Sequence, residues 1–399
     1  GRTVPTFTRD IAPLVFERCS PCHRPGQQVP FPLLTYEDVR KRAGQIATAA
    51  RTRAMPPWLP EPGYGEFAGD RRLRDDEIEL VDRWVRAGAI EGNAAELPRT
   101  PQWADEWQLG TPDLIVEMKD PFTLPGGGAD IFRNFVLPVE LSSSRYVRAV
   151  EFRPGNPRIV HHAVINVDPT RASRRLDEED PEPGFDGMLV EGSRGPDGHF
   201  LGWTPGKGPT AEAPDMAWRL ERGSDLIVQL HMLPTGRPET IRASVGLFFT
   251  DTPGTARPFL LKLGSKTIDI PPGDNAYTTR DRYVLPVDVD ALGVYPHAHY
   301  LATDMQGMAT LPDGTTRWLI RIKAWDFHKQ DQYRYATPTF LPRGTVVTMQ
   351  YTYYNSDGNL HNPRHPPERV TYGPRSSHAM GDLWIQVRPS QPEGAAVLA

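Results

Sequence analysis

Beyond Pro101 the sequence is a series of short apolar runs, and this pattern limits the fold more than any other feature. The runs are short, apolar and partly alternating, and Gly, Pro, Asp and Asn separate them, as is typical of antiparallel strands joined by turns. The clearest runs are 113–118, 145–152, 159–167, 225–233, 243–250, 345–354 and 382–387. They are numerous enough for two antiparallel sandwiches or jelly rolls.

Residues 1 to about 95 have a helical pattern instead. It is clearest over 75–87, where Ile78, Val81 and Val85 recur at helical spacing. Acidic residues fill the first turn of this predicted helix, and Gly88 is the expected terminator. The N-terminal part is therefore predicted to be a small helical domain.

A chain of 399 residues is expected to form two or three domains. We expect a helical domain at 1–95, a linker at 96–110, a first β-sandwich domain at 111–256 and a second at 257–399. The predicted fold class is thus a small all-α domain followed by two all-β antiparallel jelly-roll sandwich domains. The charged, proline-containing stretch 171–187 is expected to be a long surface loop.

Charge and hydropathy argue against several kinds of partner. The formal net charge of −5 has no long basic or acidic runs behind it, so we expect no nucleic acid and no anionic membrane as partner. No stretch approaches the roughly 18 consecutive apolar residues that a membrane-spanning helix needs.

Both cysteines lie in one motif, Cys19-Ser20-Pro21-Cys22-His23, so the rest of the chain has no disulfide available. Two thiols at this spacing can form thioethers to the haem vinyl groups while the adjacent imidazole coordinates iron. The motif predicts a covalently bound c-type haem with His23 as the proximal ligand. A redox pair would need a thioredoxin-like context, and a zinc site would need further cysteines.

Met55 is the only methionine of the first 110 residues, and His23 is the only histidine there. Elimination favours Met55 as the sixth iron ligand, which would suit electron transfer; a packing methionine is the alternative. The string Met-Pro-Pro before a Trp-containing helix resembles class I c-type cytochromes over most of residues 6–92. Because haem is attached to such motifs outside the cytoplasm, we expect an exported protein, in the bacterial periplasm or extracellular, whose signal segment was removed.

The β region contains two histidine pairs that could bind a metal. His297 and His299 are two residues apart, so they project from the same face of a strand and can chelate one ion. His161 and His162 are adjacent and would point to opposite faces of a regular strand, but a bulge can turn both toward one ion. His231 is a candidate third ligand, and the alternative is that it is a half-buried structural histidine. For His297 and His299 the alternative is that their spacing is accidental.

Imidazoles suit copper, zinc, iron and nickel, and a thioether shifts the preference toward copper. Met380 could supply that thioether, although its position before an apolar strand also fits core packing. In chain order, the two histidine pairs, His231 and Met380 resemble the ligands of the copper type II monooxygenases, the family of peptidylglycine α-hydroxylating and dopamine β-monooxygenases. Residues 268–273 and 373–380 also resemble that family, and the fusion to a cytochrome resembles its bacterial members.

The resemblance implies two jelly-roll domains, each with one copper ion, facing each other across a solvent-filled cleft. It implies that the electron-storing copper is held by three imidazoles, those of His161, His162 and His231. It implies that the copper that activates O2 is held by His297, His299 and Met380. The implied reaction is hydroxylation of a C–H bond of a small organic substrate.

Each turnover needs two electrons, which an external donor would supply. We hypothesise that the His23/Met55 haem accepts them and passes them to the copper held by the three imidazoles.

The chain departs from the peptide-hydroxylating enzymes at two positions that contact the substrate carboxylate. Tyr295 and Trp384 stand where those enzymes have an arginine and a tyrosine. We therefore expect a small, less anionic substrate that is not a peptide ending in glycine, with these two residues as candidates for its pocket. His378 could add a copper ligand or a proton donor, or lie on the surface; His199, His328, His361 and His365 are expected in loops.

Two other functions stay open at this stage. One is an electron-transfer or ligand-binding protein without oxygenase activity, which would consume no O2 when reduced and loaded with copper. The other is a zinc-dependent hydrolase that uses three histidines and a bound water.

Overall fold

The computed structural model describes residues 3–25, 31–103, 107–187, 193, 195–211, 213–373 and 375–398. Three residues of the expected linker, 104–106, and Pro374 in the segment 373–380 lie outside the described residues. The expected domain boundaries stay predictions.

The N-terminal segment, defined here as the described residues up to 92, consists of short helices around a small core. Its elements are a π-helical turn Phe7–Ile11 and the helices α1 (Ala12–Arg18), α2 (Tyr36–Arg40), α3 (Ala43–Arg51) and α4 (Asp75–Arg86). The predicted helix over 75–87 is confirmed as α4, and Gly88 follows it with a positive φ of 89°. Trp84 of α4 is fully buried in the core of this segment.

The first β unit spans residues 114–250 and packs two main antiparallel sheets over one core. Its strands are β1 (Leu114–Glu117), β2 (Phe122–Leu124), β3 (Ile131–Pro138), β4 (Arg145–Arg153), β5 (Val160–Asp168), β6 (Phe185–Asp186), β7 (Gly202–Trp203), β8 (Thr210–Ala211), β9 (Trp218–Leu220), β10 (Asp225–Met232), β11 (Glu239–Ile241) and β12 (Ser244–Thr250). One sheet has the order β1-β12-β4, with β8 and β9 both paired to β4. The other has the order β6-β3-β10-β5-β7, and β2 pairs with β11. Leu226, Leu230 and Val245 are fully buried between them.

The second β unit spans residues 259–389 and has a separate core. Its strands are β13 (Phe259–Gly264), β14 (Asp269–Ile270), β15 (Tyr277–Val284), β16 (Val289–Ala298), β17 (Ala302–Thr310), β18 (Thr316–Ile322), β19 (Tyr333–Leu341), β20 (Val346–Tyr353), β21 (Val370–Thr371) and β22 (Gly381–Pro389). The sheet β13-β22-β16-β19 faces the sheet β15-β20-β17-β18, and β14 pairs with β21. The seven predicted runs match strands of the two units to within two residues at each end.

The remaining elements are short connections. Turns of 3-10 helix span Ala94–Glu96, Pro196–Gly198, Pro214–Met216, Phe327–Lys329 and Pro392–Gly394, and helix α6 spans Ala395–Leu398. Among the described residues, no helix combines the length and the apolar character needed to cross a bilayer.

The expected surface loop over 171–187 is wrong, because it contains helix α5 (Ala172–Glu179) and strand β6. The buried carboxylate of Asp168 accepts hydrogen bonds from the backbone N–H and the hydroxyl of Ser173, and from Thr170. These bonds satisfy groups at the start of α5, which is how a helix can begin in a stretch without a strong apolar pattern.

The predicted fold class is also wrong. Among the described residues the chain is 35% strand and 17% helix, and the α-helices are six short ones. Residues 52–74, between α3 and α4, are largely irregular and add to the edge of the second β unit instead of completing an all-α domain. Phe67 forms an antiparallel bridge with Tyr335, and its side chain lies in the second unit's core.

Backbone hydrogen bonds continue this junction on both sides of Phe67. The N–H of Ala68 donates to the Arg334 carbonyl at 2.9 Å, and the N–H of Ala336 donates to the Glu66 carbonyl at 2.9 Å. The ring of Phe67 is 7% exposed and stacks on Tyr335 at 5.4 Å. The N-terminal segment is therefore held on the second β unit by an apolar anchor within a short ladder.

We expect Phe67→Ala to lower the free energy of unfolding by about 3 kcal/mol, because the change leaves a cavity in the core. Urea unfolding followed by tryptophan fluorescence measures this as a lower transition midpoint. Leu360→Ala is the control, since Leu360 is 91% exposed and its loss should change stability by less than about 0.5 kcal/mol. Equal midpoints for the two variants would contradict the anchoring role of Phe67.

Candidate metal centre

Adjacent His161 and His162 face one site because strand β5 contains a bulge. His231 of β10 lies opposite His162, but the next residue, Met232, lies opposite Val160. His161 is therefore the extra residue, and a bulge interrupts the usual alternation of side chains. The Nδ1 atoms of His161 and His162 lie 3.2 Å apart. The bulge that would turn both imidazoles toward one ion is present.

His161, His162 and His231 form a compact buried cluster, called here the histidine triad. Each offers one nitrogen, and these three atoms lie within 4.8 Å of one another. Two imidazole nitrogens bound to a tetrahedral ion at about 2.0 Å are about 3.3 Å apart, close to the separation of the two Nδ1 atoms. The three residues are 8%, 7% and 0% exposed, respectively.

Asp130 sets the orientation of His231. The Nε2 atom of His231 lies 2.8 Å from Asp130 Oδ2. The hydrogen bond from His231 lowers the pKa of Asp130, so the carboxylate is ionised and can only accept. Nε2 therefore carries the proton, and Nδ1 presents a lone pair. That Nδ1 is buried and has no hydrogen-bond partner among the described residues, as expected of an atom that faces an ion.

His297 and His299 lie at the end of strand β16 and form a second pair. Their ring centroids are 5.3 Å apart. His297 Nδ1 donates to Gln330 Oε1 at 2.8 Å, and His299 Nδ1 donates to the His378 carbonyl at 3.0 Å. Because both acceptors are amide oxygens, both Nε2 atoms present lone pairs. His299 Nε2 is buried and finds no partner in the part of the chain that is described.

Met380 lies next to this pair through the β16–β22 ladder. The last pair of the ladder is Ala298 opposite Gly381, so His299 and Met380 come next on the two strands. The Tyr353 hydroxyl donates to the Met380 carbonyl at 3.2 Å, and Met380 is 9% exposed. The structure thus brings His297, His299 and Met380 to one edge.

Burial keeps the five imidazoles neutral. It lowers the pKa of His161 and of His299 to about 3 each, and the pKa of His162 falls well below its ordinary value. The pKa values of His231 and His297 are also lowered, mainly by burial. Neutral imidazole is the form that binds a metal.

Phe327 contacts one imidazole of the triad and one of the second pair. Its ring centroid is 5.8 Å from that of His231 and 5.7 Å from that of His299. The centroids of these two imidazoles are therefore no farther apart than the two distances combined. Phe327 is 3% exposed. An aromatic side chain thus contacts one imidazole of each set, and the solvent-filled cleft implied by the family resemblance stays a prediction.

The turn that carries Phe327 also reaches the triad through His328. The His328 ring lies 5.5 Å from His161, and its backbone accepts a hydrogen bond from the His161 ring. Phe327, His328, Gln330 and Asp130 were not identified from the sequence as parts of a metal site. Each belongs to a turn or loop with no ligand spacing of its own, so only the fold reveals its place.

The remaining histidines are His378, which adjoins His299, and three others, His199, His361 and His365. The Nδ1 atom of His378 accepts a hydrogen bond from the Arg375 N–H at 3.4 Å, so His378 serves the second pair through its carbonyl. His199 is 2% exposed at the end of a 3-10 turn, whereas His361 and His365 are exposed residues of turns or bends.

The predicted haem-binding residues lie in the N-terminal segment. Cys19 and Cys22 are not in a disulfide, and burial raises the pKa of Cys19 to about 12. His23 Nδ1 donates to the Phe31 carbonyl at 3.1 Å, which leaves Nε2 for a ligand. Met55 is 45% exposed on the turn after α3. Its role as sixth ligand stays a prediction.

Unpaired donors lie close to Cys22. A Cβ added to Gly206 would be 2.3 Å from Cys22 Sγ and 3.3 Å from Arg71 Nη1. Three buried polar atoms in this region, Arg71 Nη1, Trp58 Nε1 and Thr204 Oγ1, have no hydrogen-bond partner within the described ranges. Such donors would suit a bound group that carries carboxylates, and haem is a group of this kind.

Tyr295 and Trp384, the candidate pocket residues, are paired across β16 and β22 on the face of His297. The Tyr295 ring lies 6.2 Å from that of His297. The ammonium of Lys262 lies 4.8 Å over the Trp384 ring and 2.9 Å from Asp382 Oδ2. The face is thus aromatic, and its nearby cation is neutralised by a carboxylate.

Comparisons with known proteins do not identify the chain. No family model matches it, and no curated protein matches it. Solved structures to which the chain has a weak similarity include the major capsid protein P2 of bacteriophage PM2. That match has a TM-score of 0.25 and 8% identity, and it covers 65% of this chain and 97% of that chain. The VP2 subviral particle of infectious bursal disease virus has a TM-score of 0.21, 13% identity and coverage of 75% and 77%, respectively. Similarities this low support no conclusion about this chain.

Proposed function

We propose that the chain is a copper-dependent monooxygenase that hydroxylates a C–H bond of a small organic substrate with O2. The proposal includes a c-type haem on Cys19 and Cys22 that relays electrons from an external donor. The observation that carries it is the convergence of three buried imidazoles in the triad, with a second pair, His297 and the buried His299, linked to the triad through contacts of Phe327.

The donor atoms support two different metal sites. The triad offers three nitrogens, whereas the proposed second site would add the thioether of Met380 to His297 and His299, and a thioether is a soft ligand that favours copper over zinc. Bound copper would supply one-electron redox chemistry at both sites and activation of O2 at the second.

The surrounding residues prepare the imidazoles for this role. Asp130, Gln330 and the His378 carbonyl each hold one ring nitrogen as a donor, which fixes the tautomer and aims the other nitrogen at the ion. Phe327 is itself buried and contacts one imidazole of each site. Each site is therefore oriented before an ion binds.

The face beside His297 supports an aromatic or apolar substrate. Tyr295 and Trp384 offer ring surfaces, and Lys262 is paired with Asp382 and so presents little free charge to a carboxylate. We expect peptides that end in glycine to be poor substrates, and hydroxylation assays with such peptides check this. Efficient turnover of them would contradict the expectation.

A zinc-dependent hydrolase is the second candidate, because catalytic zinc also binds three imidazoles. Metal analysis separates the two. The oxygenase requires about two copper ions and one iron per chain, whereas the hydrolase requires zinc at the triad. The iron count also tests for the haem. If the analysis is repeated on denatured protein, the iron should stay with the chain, because a haem attached by thioethers is not released.

We expect the copper-loaded, reduced protein to consume O2 even without substrate. His299→Ala should lower the rate at least tenfold, because the second site loses a ligand that nothing nearby replaces. An oxygen electrode measures the rate, and copper content is determined on the same samples. His361→Ala is the control, since His361 lies in an exposed turn. Loaded wild type that leaves O2 untouched would rule out the oxygenase.

We expect the metal-free protein to lose stability as the pH falls from about 6.5 toward 3. The folded-state pKa values of His161 and His299 are depressed to about 3, so in this range the unfolded chain binds more protons. Each of these two residues should lower the free energy of unfolding by about 2 kcal/mol between pH 7 and pH 5. Urea unfolding at the two pH values measures the loss, which His161→Gln should reduce and His361→Gln should not. Identical losses in all three proteins would refute the burial argument.

A further inference from the structure

One short segment of the second β unit, Asp326–Asp331, contacts both sets of metal donors and the N-terminal segment. Phe327 contacts His231 of the triad and His299 of the second pair, and the His328 backbone accepts a hydrogen bond from His161. The amide of Gln330 accepts from His297. Asp331, the last residue of this connecting segment, pairs with the N-terminal segment.

Asp331 joins three parts of the chain through its carboxylate. Its Oδ2 atom lies 3.2 Å from Arg71 Nη2 of the N-terminal segment, and its Oδ1 atom lies 3.3 Å from Lys207 Nζ of the first β unit. Oδ1 also accepts the N–H of Gln332 at 2.8 Å. The side chain of Asp331 is 12% exposed, and those of Arg71 and Lys207 are 25% and 23% exposed, so solvent screens this junction less than a surface ion pair.

Gln330 precedes Asp331 and is 3% exposed. Its Oε1 atom accepts from His297 Nδ1 at 2.8 Å and lies 3.5 Å from the Tyr295 hydroxyl. A buried amide in this position selects the His297 tautomer whose Nε2 is free for an ion. Because residues 330 and 331 share a peptide bond, the ion pairs of Asp331 limit how far the Gln330 side chain can move from His297.

The region around Asp331 also contacts the predicted haem attachment. Lys207 follows Gly206, whose α-carbon packs against Cys22 Sγ. A cleft of about 240 Å³ of empty volume is lined by His162, Lys207, Tyr295, Gln330 and Asp331. The junction thus lies between the N-terminal segment and both sets of metal donors.

We propose that Gln330 and Asp331 are positioning residues through which the docked N-terminal segment holds His297 in its metal-binding orientation. This inference rests on the proposed function, because it assumes that the His297 site binds copper. It assigns to Arg71 a role at a metal site that belongs to a different part of the chain. Disturbing the Arg71–Asp331 contact should therefore change the ligand geometry at His297 without removing any ligand.

The test uses the full chain and three variants along the connection, Arg71→Met, Asp331→Asn and Gln330→Leu. Long-range proton–nitrogen spectra of the metal-free protein, labelled with ¹⁵N-histidine, report the His297 tautomer. We expect the Nδ1–H form in the wild type and a mixture of tautomers in all three variants. Copper titration followed by electron paramagnetic resonance should show affinity at the His297 site reduced about tenfold or more, with the triad signal unchanged.

Two further variants keep the result interpretable. Lys323→Met breaks another ion pair between the same two parts, that of Lys323 with Glu61 at 3.3 Å, but does not touch Gln330. It should leave the tautomer and the copper affinity as in the wild type. Gln330→Glu retains an acceptor oxygen and should retain the Nδ1–H form, which separates a lost hydrogen bond from misfolding.

The inference is overturned if Arg71→Met and Asp331→Asn keep the wild-type tautomer, or if Lys323→Met changes it equally. A wild type that binds no copper through His297 would defeat the proposed function instead. The tautomer of the metal-free protein would still decide whether the connection exists, so the two failures are distinguishable.

Discussion

The bulge in strand β5 is the feature on which the candidate metal centre depends. In a regular strand, His161 and His162 would lie on opposite faces of the sheet. The extra residue at His161 brings both rings to the side of His231, which the opposite strand fixes in register. Because the ladder continues from Leu230 to Asp225, the irregularity is confined to the end of the strand pair. The sheet thus retains its core packing while one end is adapted to a ligand.

Burial of the imidazoles and the hydrogen bonds that their N–H groups donate act together at both sites. Burial makes the protonated imidazole unfavourable, so each ring is neutral and has one donor and one acceptor nitrogen. Asp130, Gln330 and the His378 carbonyl take the donors of three of these rings. Among the described residues, Nδ1 of His231 and Nε2 of His299 have no hydrogen-bond partner, and a polar atom buried in this way is costly unless a ligand pairs with it.

Local patterns in the sequence were sufficient to locate seven of the strands and to single out the two histidine pairs, because both depend on neighbouring residues. The alternation over 225–233 and the helical spacing over 75–87 match β10 and α4. Long-range placement was not available from such patterns. Nothing near Phe67 indicates that it packs on Tyr335, so the all-α domain was expected where a mixed segment lies against a sheet. Gln330 likewise has no ligand spacing, and its role depends on strand β16, about thirty residues earlier in sequence.

The position of Phe327 has a consequence for the relative motion of the two β units. Its ring is supplied by one unit and contacts His231 and Phe132 of the other, so a hinge that parted the units would expose it to water. Exposing such a ring costs about 1.5–3 kcal/mol. This cost by itself would make an open arrangement roughly ten- to a hundred-fold rarer than the closed one. A substrate that needs the gap would therefore have to replace the ring's contacts with its own apolar surface, which favours molecules that carry such a surface.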